Sequence, residues 1–261
     1  MRTARNLVVA AGLLLLPAFV DGRDLQVASA WAPAPAKVDG TADTWSALLR
    51  PLGDRPMVIG VQNDADFLYL CFKTSNLKLK KQLTTTGLTV WANGTGKANT
   101  NKGFGVRYPL GGGQGSKQRE GGEPAPTPAE EGSRPAVVEP PSEFELIGPT
   151  TEDRRRVELG GDEPVAAALG DDSGVMVLQL RLPLKSSDAH PLAAGAAPGT
   201  PIALRLVTEV PKQSEGKRWA DRVGRHGRDD GRREDVPEMP SPFSLWLQVT
   251  LATPPAPPAA K

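Results

Sequence analysis

Apolar side chains along this chain recur mostly at every second residue, the period of a strand with one buried face. In residues 57–62, Met57, Ile59 and Val61 alternate with Val58, Gly60 and Gln62. The polar turn Asn63-Asp64-Ala65-Asp66 follows, and residues 67–74 resume with Leu68, Leu70 and Phe72 on one face. The two runs predict a hairpin closed by turn-forming residues. Shorter runs of the same kind occupy residues 88–91, 104–110, 143–147 and 155–159. The strongest are residues 175–184, 202–210 and 243–251. In the last, Phe243, Leu245, Leu247, Val249 and Leu251 face one way, and Ser244, Trp246, Gln248 and Thr250 the other. Helical signals are confined to single turns at 44–49 and 76–82. Many short strands between turns predict an all-β fold, a two-sheet antiparallel β-sandwich of jelly-roll type. The ordered part is about 150 residues, enough for one core.

Three stretches break the pattern. Residues 111–142 run through Gly111-Gly112-Gly113-Gln114-Gly115 into Pro, Glu, Ser and Arg, and cannot offset their ordering entropy by burial. Residues 212–240 mix eight Lys/Arg with seven Asp/Glu, and residues 253–261 are a Pro/Ala tail. These predict two long disordered insertions and a disordered tail. The N-terminus has a different character. Arg2 and Arg5 precede an apolar run over residues 7–20, and Ala28-Ser29-Ala30 then offers small residues at a cleavage position. The run is shorter than the ~20 residues a membrane helix needs. Residues 1–30 therefore predict a signal peptide, with a cut after Ala30 and an earlier one near Gly22 as the alternative. The expected product is exported, to the periplasm or the outside, as a single domain over residues 31–252 with no membrane span.

Composition narrows the chemistry. There are 31 Lys+Arg and 30 Asp+Glu, for a net charge of +1. That balance argues against nucleic acid as a partner, and the Arg cluster at 222–233 is cancelled by interleaved acids. One Cys and two His leave no material for a zinc cluster or a disulfide framework. Cys71 lies in an apolar strand and reads as a buried, inert thiol. His190 and His226 fall in loops, where nothing fixes them beside a nucleophile. Asp64 and Asp66 read as turn residues rather than a catalytic carboxylate pair. Asp39-Gly40 with Asp43 supplies oxygens of the kind calcium takes, but without the regular loop of an EF-hand. Asn93-Gly94-Thr95 matches an N-glycosylation acceptor and equally a turn. Trp91 and Trp246 alternate out of phase with their apolar neighbours, so both predict outward-facing aromatic surfaces of the kind that stack on sugar rings.

Several motifs together resemble one known family. Val38-Asp39-Gly40-Thr41-Ala42-Asp43-Thr44-Trp45 is similar to the opening Val/Ile-Asp-Gly-x-x-Asp-x-Trp signature of the family 9 carbohydrate-binding-module-like (DOMON-like) β-sandwich superfamily. The strand, Asn-Asp turn and Leu-Tyr-Leu strand of residues 58–70, the pair at 87–91 and 103–106, and Leu180-Arg181-Leu182-Pro183-Leu184 resemble its later elements. The resemblance spans residues 37–251. It implies a sandwich that binds rather than catalyses, with a glycan end held between tryptophans in sugar-binding members and calcium in some. The expected function is a non-enzymatic, exported carbohydrate-binding module. Its ligand residues would be Trp91 and Trp246, it needs no cofactor, and Asp39 and Asp43 are the calcium ligands if that ion is used. The alternative is a cell-envelope scaffold whose partner is another envelope protein.

Overall fold

A computed structural model describes residues 25–110, 141–209 and 241–256. The charged and apolar parts of the leader, almost all of the first predicted insertion, all of the second, and the last five residues of the tail lie outside the described residues. The strands are β1 (Leu25–Ala28), β2 (Ala30–Trp31), β3 (Arg50–Pro51), β4 (Val58–Asn63), β5 (Phe67–Thr74), β6 (Leu88–Asn93) and β7 (Phe104–Tyr108). They continue as β8 (Glu143–Ile147), β9 (Arg154–Glu158), β10 (Ala166–Asp172), β11 (Val175–Pro183), β12 (Pro201–Thr208) and β13 (Ser244–Thr250). One α-helix, α1 (Leu77–Thr86), follows β5.

The strands form two sheets of a sandwich. A seven-stranded sheet runs β1-β13-β12-β6-β7-β8-β9, and a six-stranded one runs β10-β11-β5-β4-β2 with β3 paired to β4. The facing sides meet in one core that includes Ile59, Leu70, Phe72, Val90, Val106, Leu180, Leu204 and Val249. These are the in-phase residues of the sequence pattern. The sheets are not purely antiparallel as predicted. The two N-terminal strands pair in parallel, β1 with β13 and β2 with β4.

Sequence and structure differ elsewhere as well, the short strands β2 and β3 among the unpredicted elements. The helix is a full Leu77–Thr86 rather than one turn ending at 82: Asn76 caps its start by accepting from the Leu79 N–H, and it runs on with Leu83 and Thr86 buried to an end where the Gly87 N–H bonds the Leu83 carbonyl. Strand β10 was not predicted, since Pro164-Val165-Ala166-Ala167-Ala168 carries no apolar alternation. Residues 25–30, ahead of the leader boundary drawn after Ala30, carry strand structure. Leu25–Ala28 forms an edge strand, and the Ser29 hydroxyl accepts from the Ala252 N–H at 2.8 Å and donates to Asn63 Oδ1.

The six-stranded sheet is buried on both faces. Residues 32–49 cross its outer side, where Ala32, Ala42 and Trp45 pack with Tyr69, Cys71 and Val177. Burial on both sides explains why Phe67-Leu68-Tyr69-Leu70-Cys71-Phe72 is a continuous apolar run. Gln179 fixes this strap. Fully buried, it accepts from the Asp39 N–H at 2.9 Å and the Gly40 N–H at 2.8 Å, and donates to the Thr41 carbonyl at 2.5 Å. Gly40 has φ +80°, and a Cβ there would stand 3.0 Å from the Gly170 backbone nitrogen, so the turn needs glycine. Burial pushes the Cys71 thiol up to about 12. The native chain is therefore expected to resist a disulfide-exchange thiol reagent and to react fully in denaturant; rapid native labelling would contradict this.

Candidate functional site

The opening motif serves the strap. Asp39 Oδ1 accepts from both the Thr41 N–H, at 2.9 Å, and the Thr41 hydroxyl, at 2.8 Å. Those two donors hold the Asp39 carboxyl below the usual carboxylate range. Asp43 is exposed and opens a short 3₁₀ turn that delivers Trp45 to the sheet. Among the described residues, no three His, Cys, Asp or Glu side chains converge as metal ligands would.

The other polar motifs within the described residues make local contacts. Asp64 Oδ1 accepts from the Asp66 and Phe67 N–H groups at 2.8 and 2.7 Å, and Oδ2 from the Tyr69 hydroxyl at 2.6 Å. Asp66 pairs with Lys185 at 2.9 Å. His190 Nδ1 lies 3.4 Å from Glu163 Oε2, while the Ser187 hydroxyl accepts from the His190 backbone N–H rather than from the ring. His226 lies outside the described residues. Asn93 is 1% exposed, and its amide nitrogen donates to the carbonyls of Lys97, Asn99 and Asn101. The acceptor-like tripeptide is thus a locked turn in the folded chain.

The outer face of the seven-stranded sheet is different. Register places Trp246 opposite Arg205, Arg205 opposite Trp91, Trp91 opposite Gly105, and Gly105 opposite Ile147. The two tryptophans predicted to face outward therefore stand in one cross-strand row with Arg205 between them. Two inter-strand spacings separate them, about 10 Å. Their accessibility differs. Trp246 and Arg205 are half-buried, whereas Trp91 is 6% exposed rather than open. Its Cδ2 and Cε2 atoms both lie 3.1 Å from where a Gly105 Cβ would stand, so the indole lies over the glycine beside Ile147.

Arg205 is held on two sides. Its Nε donates to the Ser244 hydroxyl at 3.0 Å, and its Cζ stands 5.7 Å from the centre of the Trp246 ring, a cation–π distance. In the next row, Val207, Thr89, Arg107, Glu145 and Arg156 pair in sequence across β12, β6, β7, β8 and β9. Arg107 reaches Glu145 at 3.6 Å and Glu209 at 3.3 Å, and Arg154 reaches the same two carboxylates at 3.2 and 3.5 Å. Thr89 is 3% exposed, and its hydroxyl has no hydrogen-bond partner among the described residues.

No family model matches the chain, and no curated protein sequence matches it. Solved structures similar to the chain include two of a family 9 carbohydrate-binding module from Caldicellulosiruptor kristjanssonii. The one in complex with glucose is 8% identical, with a TM-score of 0.35, over 72% of this chain and 80% of that one. The one in complex with cellotriose is 8% identical, with a TM-score of 0.34, over 74% of this chain and 79% of that one. What the site can do follows from its own residues.

That face offers one accessible indole, a second one backing the same row, an ordered guanidinium, and hydroxyl and amide groups of Ser244 and Gln248 on either side of Trp246. This is stacking area with hydrogen-bonding groups around it. Sequence reasoning singled out Trp91 and Trp246 but not Arg205. Its only signal was the outward phase of Arg205 in residues 202–206.

Proposed function

We propose that the chain is a non-catalytic carbohydrate-binding module that takes sugar on the outer face of the seven-stranded sheet. Trp246 is the stacking surface, and Trp91 supports the same row from within the face. The observation that carries this reading is the cross-strand row Trp246–Arg205–Trp91, which gathers two out-of-phase tryptophans from distant segments onto one side of one sheet. A structural role alone would not require Trp246 to stay half-exposed beside an oriented cation. The test is retention on a glycan array by the full chain and by Trp246→Ala. Saturable binding to a defined glycan, weakened at least about tenfold by the substitution, supports the site. Equal binding by the variant removes it. The envelope-scaffold alternative draws on the predicted insertions at 111–142 and 212–240; loss of a captured envelope protein on deleting either insertion, with no glycan retained, would favour it.

The same proposal includes export, with the leader removed ahead of Leu25. Support comes from β1 and the Ser29 hydroxyl, which a cut after Ala30 would strip from β13, Asn63 and Ala252. A cut near Gly22 leaves them whole. N-terminal sequencing of the exported protein is expected to begin within residues 23–25; a start at Trp31 would contradict it. The described helix is too short to cross a membrane.

A further inference from the structure

The arginines on the outer face of the seven-stranded sheet are not equivalent. Arg107 and Arg154 share Glu145 and Glu209, and Arg156 stands 4.0 Å from Glu143. Their charge is balanced where they stand. Arg205 has no carboxylate within ion-pair distance among the described residues. Its fixed contacts are the Ser244 hydroxyl on Nε and the Trp246 ring beside its Cζ.

Among the described residues, those contacts order the guanidinium without neutralising it. With Nε engaged, the two terminal nitrogens keep the paired N–H groups that grip a carboxylate or sulfate in a fork. The aromatic ring shields one side, which strengthens attraction for an anion over that in open water. An uncharged sugar would leave this cation without a counter-charge and would cover it with apolar ring surface, at a desolvation cost. A sugar with an acidic substituent stacked on Trp246 meets both needs at once.

We infer that the glycan recognised at this face is acidic, a carboxylate- or sulfate-bearing polysaccharide whose anionic group is taken by Arg205. This rests on the sugar-binding reading of the same face.

The test is affinity electrophoresis of the full chain through gels containing polygalacturonate, dextran sulfate or a neutral glucan. The variants are Arg205→Gln, which shortens the side chain and removes its charge, and Arg156→Gln, a control for general attraction to polyanions. Retention by at least one acidic polymer should exceed that by the neutral glucan about tenfold or more, fall with added salt, and be lost in Arg205→Gln but not in Arg156→Gln. Thermal melting of Arg205→Gln should match the parent, which separates lost binding from lost folding. Polygalacturonate alone, dextran sulfate alone or both retaining the parent decides between carboxylate, sulfate and either. Equal loss in both variants would overturn the inference, since it would show undirected charge attraction. Retention by the neutral glucan alone would overturn it while leaving the sugar-binding reading intact. No retention on any polymer, with the glycan array also negative, would remove both.

Discussion

Trp45→Ala is expected to destabilise the fold by about 3–5 kcal/mol, the range for removing a large buried aromatic. Trp45 is 1% exposed and anchors the strap of residues 32–49 on the outer side of the six-stranded sheet. Its Cε3 atom stands 2.8 Å from where a Cβ on Gly60 would be, so the indole lies directly on β4. The converse substitution, Gly60→Ala, forces a methyl into that contact and should cost about 1–3 kcal/mol by overpacking. The double variant tests the contact itself. Once the indole is gone, the added methyl meets empty space, so the combined loss should be clearly less than the sum of the two. Urea unfolding of all four proteins measures this; strict additivity would mean that Trp45 and Gly60 do not touch.

Gln179→Ala should have the second-largest effect. It deletes the acceptor of the Asp39 and Gly40 N–H groups and the donor to the Thr41 carbonyl. Leaving buried backbone groups unpaired costs about 1–3 kcal/mol each, and water reaching the exposed Asp39 side will recover part of that, so a net loss of about 3 kcal/mol is expected. The damage should be local first. Limited proteolysis is expected to open new cleavage within residues 36–44 before the rest of the sandwich is cut. Wild-type protection at that turn would show that apolar packing of the strap suffices without Gln179.

Much of the fold was legible because a half-buried strand writes its own face into the sequence. The β4–β5 hairpin is the clearest case. Ile59 and Val61 alternate with polar or small neighbours, and Asn63-Asp64 supplies the turn through the Asp64 side chain. The phase of residues 243–251 likewise put Trp246 outside and Leu247 and Val249 in the core. Strand order left no such mark. Phase alone set Trp91 and Trp246 outward, but only the pairing of β12 with both β6 and β13 puts them on one face with Arg205 between them. For the same reason the exposure expected of Trp91 was too high. The glycine that its indole lies over, Gly105, and the adjoining Ile147 come from β7 and β8.

Side chains that work at long range were the least legible. Gln179 is a polar residue at an alternate position of β11, and its partners lie about 140 positions away in the strap. Asn63 joins the ends of the fold in the same manner, donating to the Ala252 carbonyl at 3.0 Å and accepting from the Ala252 N–H at 2.8 Å. The Asp-Gly motif that suggested calcium ligands also builds a turn, with Asp39 Oδ1 accepting from Thr41 and the Asp39 and Gly40 N–H groups held by Gln179, a role that its sequence alone did not show.

The central claim is that sugar is taken at Trp246 on the outer face of the seven-stranded sheet. The most direct measurement follows the indole N–H signals of the five tryptophans by NMR while the glycan retained on the array is titrated in. The Trp246 signal should shift progressively and saturate, Trp91 should respond more weakly, and Trp45, buried in the strap on the other sheet, should stay fixed. Saturating shifts confined to Trp45 or Trp31, with Trp246 unmoved, would contradict the account.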